Sequence, residues 1–319
     1  MLYNILPEAV QQYMLPVALL VAFALTAMFT GGLHKYLPKD GGRDFAVDGK
    51  KSAGKPRGAG IIFILVFVVV SAVLAPMKLE YIYYLLLVAG AMLTGFLDDA
   101  AKSTWGEYLK GALDLLIALL TTAVYLFNNE TYVQLGFGGV AFHMPLWVFA
   151  ICSVILIWVS INVTNCADGV DGLSGTLSII TLMTIYGLIK KMGVVDFAPQ
   201  ILIMIFAIVA YLWFNATPSI LMMGDAGSRA IGLFIAIAVL KTGAPLLYIP
   251  VAIVLILDGG LGLVKVFLLR FLKIKILKNV RTPLHDQVRK VNNWSNTQCV
   301  FRFAIIQAVI GVTVYLLAK

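Results

Sequence analysis

Long apolar runs separated by short polar connections recur along the whole chain. Each approaches the roughly 20 helical residues needed to cross a hydrocarbon core about 30 Å thick. Ten such runs are read, at 14–32, 60–77, 81–97, 110–127, 145–161, 175–190, 200–214, 228–241, 245–269 and 302–318. The pattern predicts an all-α polytopic membrane protein. No connection is long enough for a separate soluble domain, so residues 1–319 read as one integral membrane domain. The first run lacks a basic leader and reads as a retained span, not a signal peptide. Between the fourth and fifth runs, 128–144 (NNETYVQLGFGGVAFHM) alternates weakly and leaves room for a short hairpin.

Composition agrees: 61% of residues are hydrophobic and only 13% charged, with a mean hydropathy of +0.95. An even number of spans puts both termini on one side. Of the 24 lysines and arginines, 18 fall in one set of alternate connections and 5 in the other, with Lys265 inside a span. By the positive-inside rule the richer side is cytoplasmic and both termini are extracytoplasmic. The net charge of +8 is thereby a cytoplasmic surface whose basic residues set topology or meet anionic lipid. No nucleic-acid partner is expected. Cys152, Cys166 and Cys299 are scattered, with no spacing that suggests a metal or disulfide framework.

The unusual polar clusters all fall in the five connections assigned to the cytoplasmic side: 33–59, 98–109, 162–174, 215–227 and 270–301. The most concentrated is 162–173 (NVTNCADGVDGL), at the end of a long apolar run. Asn162, Asn165 and Asp168 recur at i, i+3, i+6 and would stack on one side of a helix end, before a turn marked by two Asp-Gly pairs. Asp98 and Asp99 close the third run, three or four residues before Lys102. Adjacent carboxylates there oppose the negative end of the helix dipole, which a bound cation would offset. Magnesium suits such a place, being held by one or two carboxylates together with substrate phosphates. In 223–228 (MGDAGS), which follows NATP at 215–218, glycine lets backbone approach a phosphate near a helix N-terminus. The string 50–60 (KKSAGKPRGAG) mixes glycine and cations as a phosphate cradle does, although no G-x-x-x-x-G-K-[ST] is present. His285, in RTPLHDQ at 281–287, is of the residue type that switches charge most readily and could bind phosphate or donate a proton. Asp258 and Lys265 lie seven residues apart inside the ninth run, on one helix face, and Gly259-Gly260 offers a bend there. They line either a wet cavity or a structural ion network.

In combination, DDAAK at 98–102, NVTNCADGVDGL, MGDAGS and the PLH of 283–285 resemble the polyprenyl-phosphate N-acetylhexosamine-1-phosphate transferases in order and spacing. NATP and TPLH are most similar to the phospho-N-acetylmuramoyl-pentapeptide transferase branch. The resemblance implies a ten-helix homodimer in the bacterial plasma membrane, with a cytoplasmic, Mg²⁺-dependent site. The implied reaction joins UDP-N-acetylmuramoyl-pentapeptide and undecaprenyl phosphate into lipid I and UMP, for peptidoglycan synthesis. By motif position, Asp225 is the leading magnesium ligand, and Asp98 and Asp99 fall on the catalytic pair and join the expected metal set; Asp98 is expected to activate the lipid phosphate or help position the metal. His285 joins them as a catalytic residue. Asn162, Asn165, Asp168 and Asp171 fall on the nucleotide and catalytic loop, with Asp171 towards the nucleotide and Asp168 nearer the phosphates. Asn215, Gly224 and Ser228 become pocket residues, and Lys55, Lys102, Met222, Lys265 and Thr282 complete the expected substrate-binding set.

There are three departures from the family pattern. His285-Asp286-Gln287 replaces three consecutive histidines, Met222 stands where an aromatic residue is common, and Lys265 stands where glutamine is common. Two other readings use the same residues. One is a transferase of GlcNAc-1-phosphate from UDP-GlcNAc, the other a transporter or lipid flippase.

Overall fold

The computed structural model describes residues 3–42, 52–103 and 105–319. Lys50 and Lys51 of the glycine- and lysine-rich string lie outside the described residues. The fold is a helical bundle, and every apolar run falls on helix: α1 Glu8–Leu33, α2 Gly60–Leu74, α3 Leu79–Asp99, α4 Glu107–Asn128, α5 Leu146–Cys166, α6 Leu173–Lys191, α7 Ala198–Asn215 and α8 Gly224–Leu240. The ninth run is divided among α9 Tyr248–Val251, α10 Ile253–Leu255, a π-helical turn Ile256–Gly260 and α11 Leu261–Phe271. The short α12 Leu284–Lys290 precedes α13 Asn296–Leu317. Among the described residues, seven helices are long and apolar enough to cross a membrane, or eight with the bent ninth segment counted as one span. This is a polytopic membrane protein. The hairpin anticipated after α4 is present as β1 Tyr132–Gln134 paired antiparallel with β2 Ala141–His143.

Helix α8 is the axis, with all seventeen of its residues buried, and it packs mainly against α3 and α5. Contact there is backbone on backbone: a Cβ at Gly95 of α3 would stand 2.4 Å from the Asp225 carbonyl oxygen. Helix α8 is also clamped at both ends. At its start Asp99 accepts the backbone N–H groups of Asp225 and Ala226, both at 3.1 Å. This satisfies two of the donors that any helix leaves unpaired at its first turn. Gly224 permits the approach, since its φ is +72° and a Cβ there would stand 2.2 Å from Asp99 Oδ2. At its far end Lys241 donates to Glu80 of α3 at 2.9 and 3.0 Å and to Asn129 at 2.8 Å. A carboxylate at the N-terminus and a cation at the C-terminus both complement the helix dipole.

Two differences from the sequence expectations have local causes. The final helix begins at Asn296, ahead of the expected 302, because Ser295 and Gln298 form a reciprocal capping box. The ninth run bends by 69° between the segments Pro245–Val251 and Ile253–Phe271, not at Gly259-Gly260, which lie in the π-helical turn. Pro250 removes a helical donor next to that break. Gln307 of α13 then enters the gap, donating to the Val251 carbonyl at 2.6 Å and accepting from the Val254 N–H at 3.0 Å. One buried side chain thus replaces the missing rung of the helix ladder.

Candidate active site

The clusters at 52–60, 98–110, 162–173, 215–228 and 281–289 converge at one end of the bundle, around a cavity of about 440 Å³. Its floor is the start of α8. Asp225, Gly224 and Ser228 line it, with Asn165 and Asp168 from the end of α5 and the turn beyond. Asn165 donates to Ser228 Oγ at 3.1 Å, and Ser228 donates to the Gly224 carbonyl at 2.9 Å. These bonds tie the Asn/Asp turn to the MGDAGS loop.

The first polar connection folds over the same floor. Ala59 and Gly60 donate to the Met222 and Met223 carbonyls, and Met222 donates back to Pro56, all within 3.1 Å. The result fixes Arg57 against the carboxylates. Its Nε lies 2.8 Å from Asp99, one terminal nitrogen 3.2 Å from Asp225, and the other 3.7 Å from Asp40. Burial lowers the guanidinium pKa, but Asp99, Asp225 and Asp40 outweigh it and hold the group above its ordinary value. Arg57 therefore stays charged. Lys110 of α4 pairs with Asp98 and reaches Asp225 Oδ2 at 3.2 Å. Lys55 donates to Ser219 at 3.0 Å and lies 3.6 Å from Asp171, which also accepts the Ser219 N–H at 3.3 Å.

Asn215 is a clamp. Its carbonyl oxygen accepts the Gly172 N–H at 2.8 Å while its amide donates to the Leu221 carbonyl at 2.9 Å. The two loops flanking the cavity are thus joined through one buried side chain. Met222 lines the cavity beside them.

Other expected site residues lie elsewhere. Asp98 and Asp99 do not line the cavity, and their side chains have no exposed surface. Asp99 spends its oxygens on the α8 amides and Arg57, and Asp98 accepts the Trp105 N–H at 2.7 Å and pairs with Lys110. The expected metal set Asp98, Asp99 and Asp225 therefore has no common centre. Among the described residues no three His, Cys, Asp or Glu side chains converge for a metal. Asp225 and Asp168 do line the cavity, which suits magnesium completed by substrate phosphates. Asn162 turns from Asn165 and Asp168 towards α4, donating to the Trp158 carbonyl at 2.9 Å and approaching Asp114 at 3.5 Å. Asp114 is paired with buried Arg229. His285 is buried beneath the turn, where a Cβ at Gly169 would stand 2.2 Å from its Nε2. Asp258 accepts from its backbone N–H at 2.7 Å and its Nδ1 at 2.8 Å. Lys265 donates to the Val280 carbonyl at 2.8 Å, and Thr282 packs on Gly262. Those two secure the segment before α12 and do not line the cavity. Lys102 is exposed outside it.

Sequence reasoning did not single out Arg57, Lys110, Asp114 or Arg289. Arg289 lines the cavity and donates to the Gly169 carbonyl at 3.4 Å. The signal for Arg57 was its place between glycines in 50–60, but nothing local showed which carboxylates it would meet. The other three sit in helices, and their partners come from elements far apart in sequence.

The profile of glycosyl transferase family 4 matches residues 81–243. The chain is 42% identical over 316 residues to a phospho-N-acetylmuramoyl-pentapeptide-transferase of Treponema pallidum, covering 93% of this chain and 87% of that one. It is 29% identical to a protein of the same name from Dictyoglomus thermophilum, covering 88% and 87% of the two chains. A third of that name, from Clostridium perfringens, is 26% identical, with 92% and 94% covered.

Proposed function

We infer the reaction from one premise: this chain belongs to glycosyl transferase family 4, in its phospho-N-acetylmuramoyl-pentapeptide transferase branch. It transfers phospho-N-acetylmuramoyl-pentapeptide from its UDP derivative to undecaprenyl phosphate, yielding lipid I and UMP for peptidoglycan synthesis. The observation that carries the mechanism is the cavity lining, where acidic Asp168 and Asp225 stand beside Lys55, Arg57 and Lys110. A diphosphate with a divalent cation needs both kinds of group.

In the reaction a lipid-phosphate oxygen bonds to the β-phosphorus of the nucleotide as its bond to the oxygen of UMP breaks. The acceptor is a phosphomonoester with a second pKa of roughly 6, so it is largely dianionic at neutral pH and needs no strong base. Catalysis then rests on positioning and charge neutralisation. Magnesium, when bound, neutralises diphosphate oxygens, and Asp225 and Asp168 are the side chains placed to hold it. Lys55 and Arg57 neutralise the nucleotide phosphates, while Lys110 is set beside Asp225 by Asp98. Asp98 acts through Lys110 on this reading, not as a base, because its carboxylate is enclosed. Asp171, drawn towards Lys55 and Ser219, serves the nucleotide side. Asn165, Ser228, Gly224 and Asn215 hold the loops in register, and Met222 supplies an apolar wall for the base. His285 supports the Asp168–Asp171 turn from beneath.

The reading includes ten crossings in a single domain, extracytoplasmic termini, a cytoplasmic site and a homodimer in the bacterial plasma membrane. Sidedness is supported by the sequence, in which 18 of the 24 lysines and arginines fall in the connections that carry the site's motifs. The decisive assay is UMP release from UDP-N-acetylmuramoyl-pentapeptide with undecaprenyl phosphate and Mg²⁺. Equal turnover of UDP-GlcNAc, or no UMP from either nucleotide, would overturn the assignment.

A further inference from the structure

Deepening the transferase reading, on which it rests, we propose that Arg57 is a resident counter-cation of Asp225 that yields its place to the metal and turns to the nucleotide diphosphate. Both oxygens of Asp225 are taken by the protein's own cations: Oδ1 lies 3.2 Å from Arg57 and Oδ2 3.2 Å from Lys110. A metal ion approaching Asp225 meets both positive charges at close range, so its binding is favoured when one of them turns away. Lys110 is the harder to move, since its departure strips the enclosed Asp98 carboxylate of its only ion pair among the described residues. An unpaired buried charge is strongly unfavourable.

Arg57 is built to let go in part. Its Nε holds Asp99 at 2.8 Å while a separate terminal nitrogen meets Asp225. A guanidinium presents five donors in a planar fork, so one arm can change partner while the other stays. Arg57 lines the cavity, and the loop beneath it is pinned to Met222 and Met223 by backbone bonds. The released arm therefore remains in the cavity, free to meet an anion bound there. Without nucleotide, Arg57 competes with the metal for Asp225. With nucleotide, the guanidinium has another anion and the competition ends. Metal and nucleotide thereby strengthen one another, and linkage makes the effect reciprocal.

The test uses the full-length protein in detergent, with Mn²⁺ followed by its electron paramagnetic signal, alone and with uridine diphosphate. Arg57→Gln is expected to bind Mn²⁺ alone about fivefold more tightly than the natural protein, the lower end of typical coupling. The enhancement of Mn²⁺ binding by uridine diphosphate should shrink by a similar factor. Unchanged or weaker Mn²⁺ binding in a folded Arg57→Gln protein would overturn the proposal. Arg57→Lys, which keeps the charge but loses the fork, serves if the first variant does not fold. An intermediate gain supports the exchange, and none counts against it. The UMP-release assay reports separately on the transferase reading. Normal UMP release without the Mn²⁺ effect sinks only the Arg57 proposal, whereas the Mn²⁺ effect without UMP release sinks the substrate assignment.

Discussion

Asp258 grips His285 twice, accepting the backbone N–H at 2.7 Å and Nδ1 at 2.8 Å. The grip assigns the proton to Nδ1 and turns Nε2 towards Gly169, under the turn that carries Asp168 and Asp171. A carboxylate from the π-helical turn of the ninth segment thus holds the side chain on which a cavity-lining loop rests.

Asp258→Asn would place an amide donor against one of those two donors. Losing a hydrogen bond to a charged group is worth about 1.5–3 kcal/mol, so kcat/KM should fall at least about tenfold. Steady-state UMP release with varied nucleotide checks this. Unchanged kcat/KM would show that the turn stands without the pair.

Asp99→Ala should act mainly on stability. It removes the acceptor for two α8 amides and leaves Arg57 with one fewer carboxylate. Breaking a buried ion pair costs about 3–5 kcal/mol. Thermal unfolding in detergent should show a large drop in Tm, and a variant with normal Tm but no activity would return Asp99 to a direct chemical role.

Asp98 and Lys110 should behave as one unit. If Asp98 works by positioning Lys110, then Asp98→Asn, Lys110→Met and the double variant lose similar amounts of turnover, as expected for coupled residues. Losses that multiply in the double variant would indicate independent functions and revive a base role for Asp98.

Gln307→Leu removes both bonds that bridge the break after Val251. Leaving buried backbone groups unpaired costs about 1–3 kcal/mol each. The expected result is a lower Tm and faster amide exchange confined to 248–260, measured by hydrogen exchange. Uniform exchange across the bundle would contradict this local role.

Chelation of divalent cations should abolish UMP release, and Mg²⁺ should restore it. Asp225→Asn should resist that rescue at any practical Mg²⁺ concentration. Rescue of Asp225→Asn to natural turnover would assign the metal to other residues.

The helices were legible because burial in lipid leaves a long, one-dimensional signal: every expected run falls on helix. The end of α5 was legible for a different reason, since Asn165, Asp168 and Asp171 have no apolar reason to be there. What could not be read was which way each polar group turns. Asp98 and Asp99 looked like exposed ligands, yet unpaired amides at the start of α8, more than a hundred residues later, claim Asp99. Asn162 seemed one of a stack, but Asp114 of α4 draws its amide away, and Asp168 lies past the end of α5 at Cys166. The break in the ninth segment depends on Gln307, over fifty residues away. Each miss is a partner supplied by another helix, and periodicity holds no record of such partners.

The two clamps on α8 have a mechanical consequence. Asp99 and Glu80 stand at opposite ends of α3, and each secures the matching end of α8. Two antiparallel helices pinned at both ends form a spar that resists sliding and twisting. The ninth segment is bent by contrast, and its Asp258 holds the histidine that lies beneath the turn carrying Asp168 and Asp171. One straight, doubly pinned helix pair thus carries the floor of the site, while a bent segment carries the support for its loop.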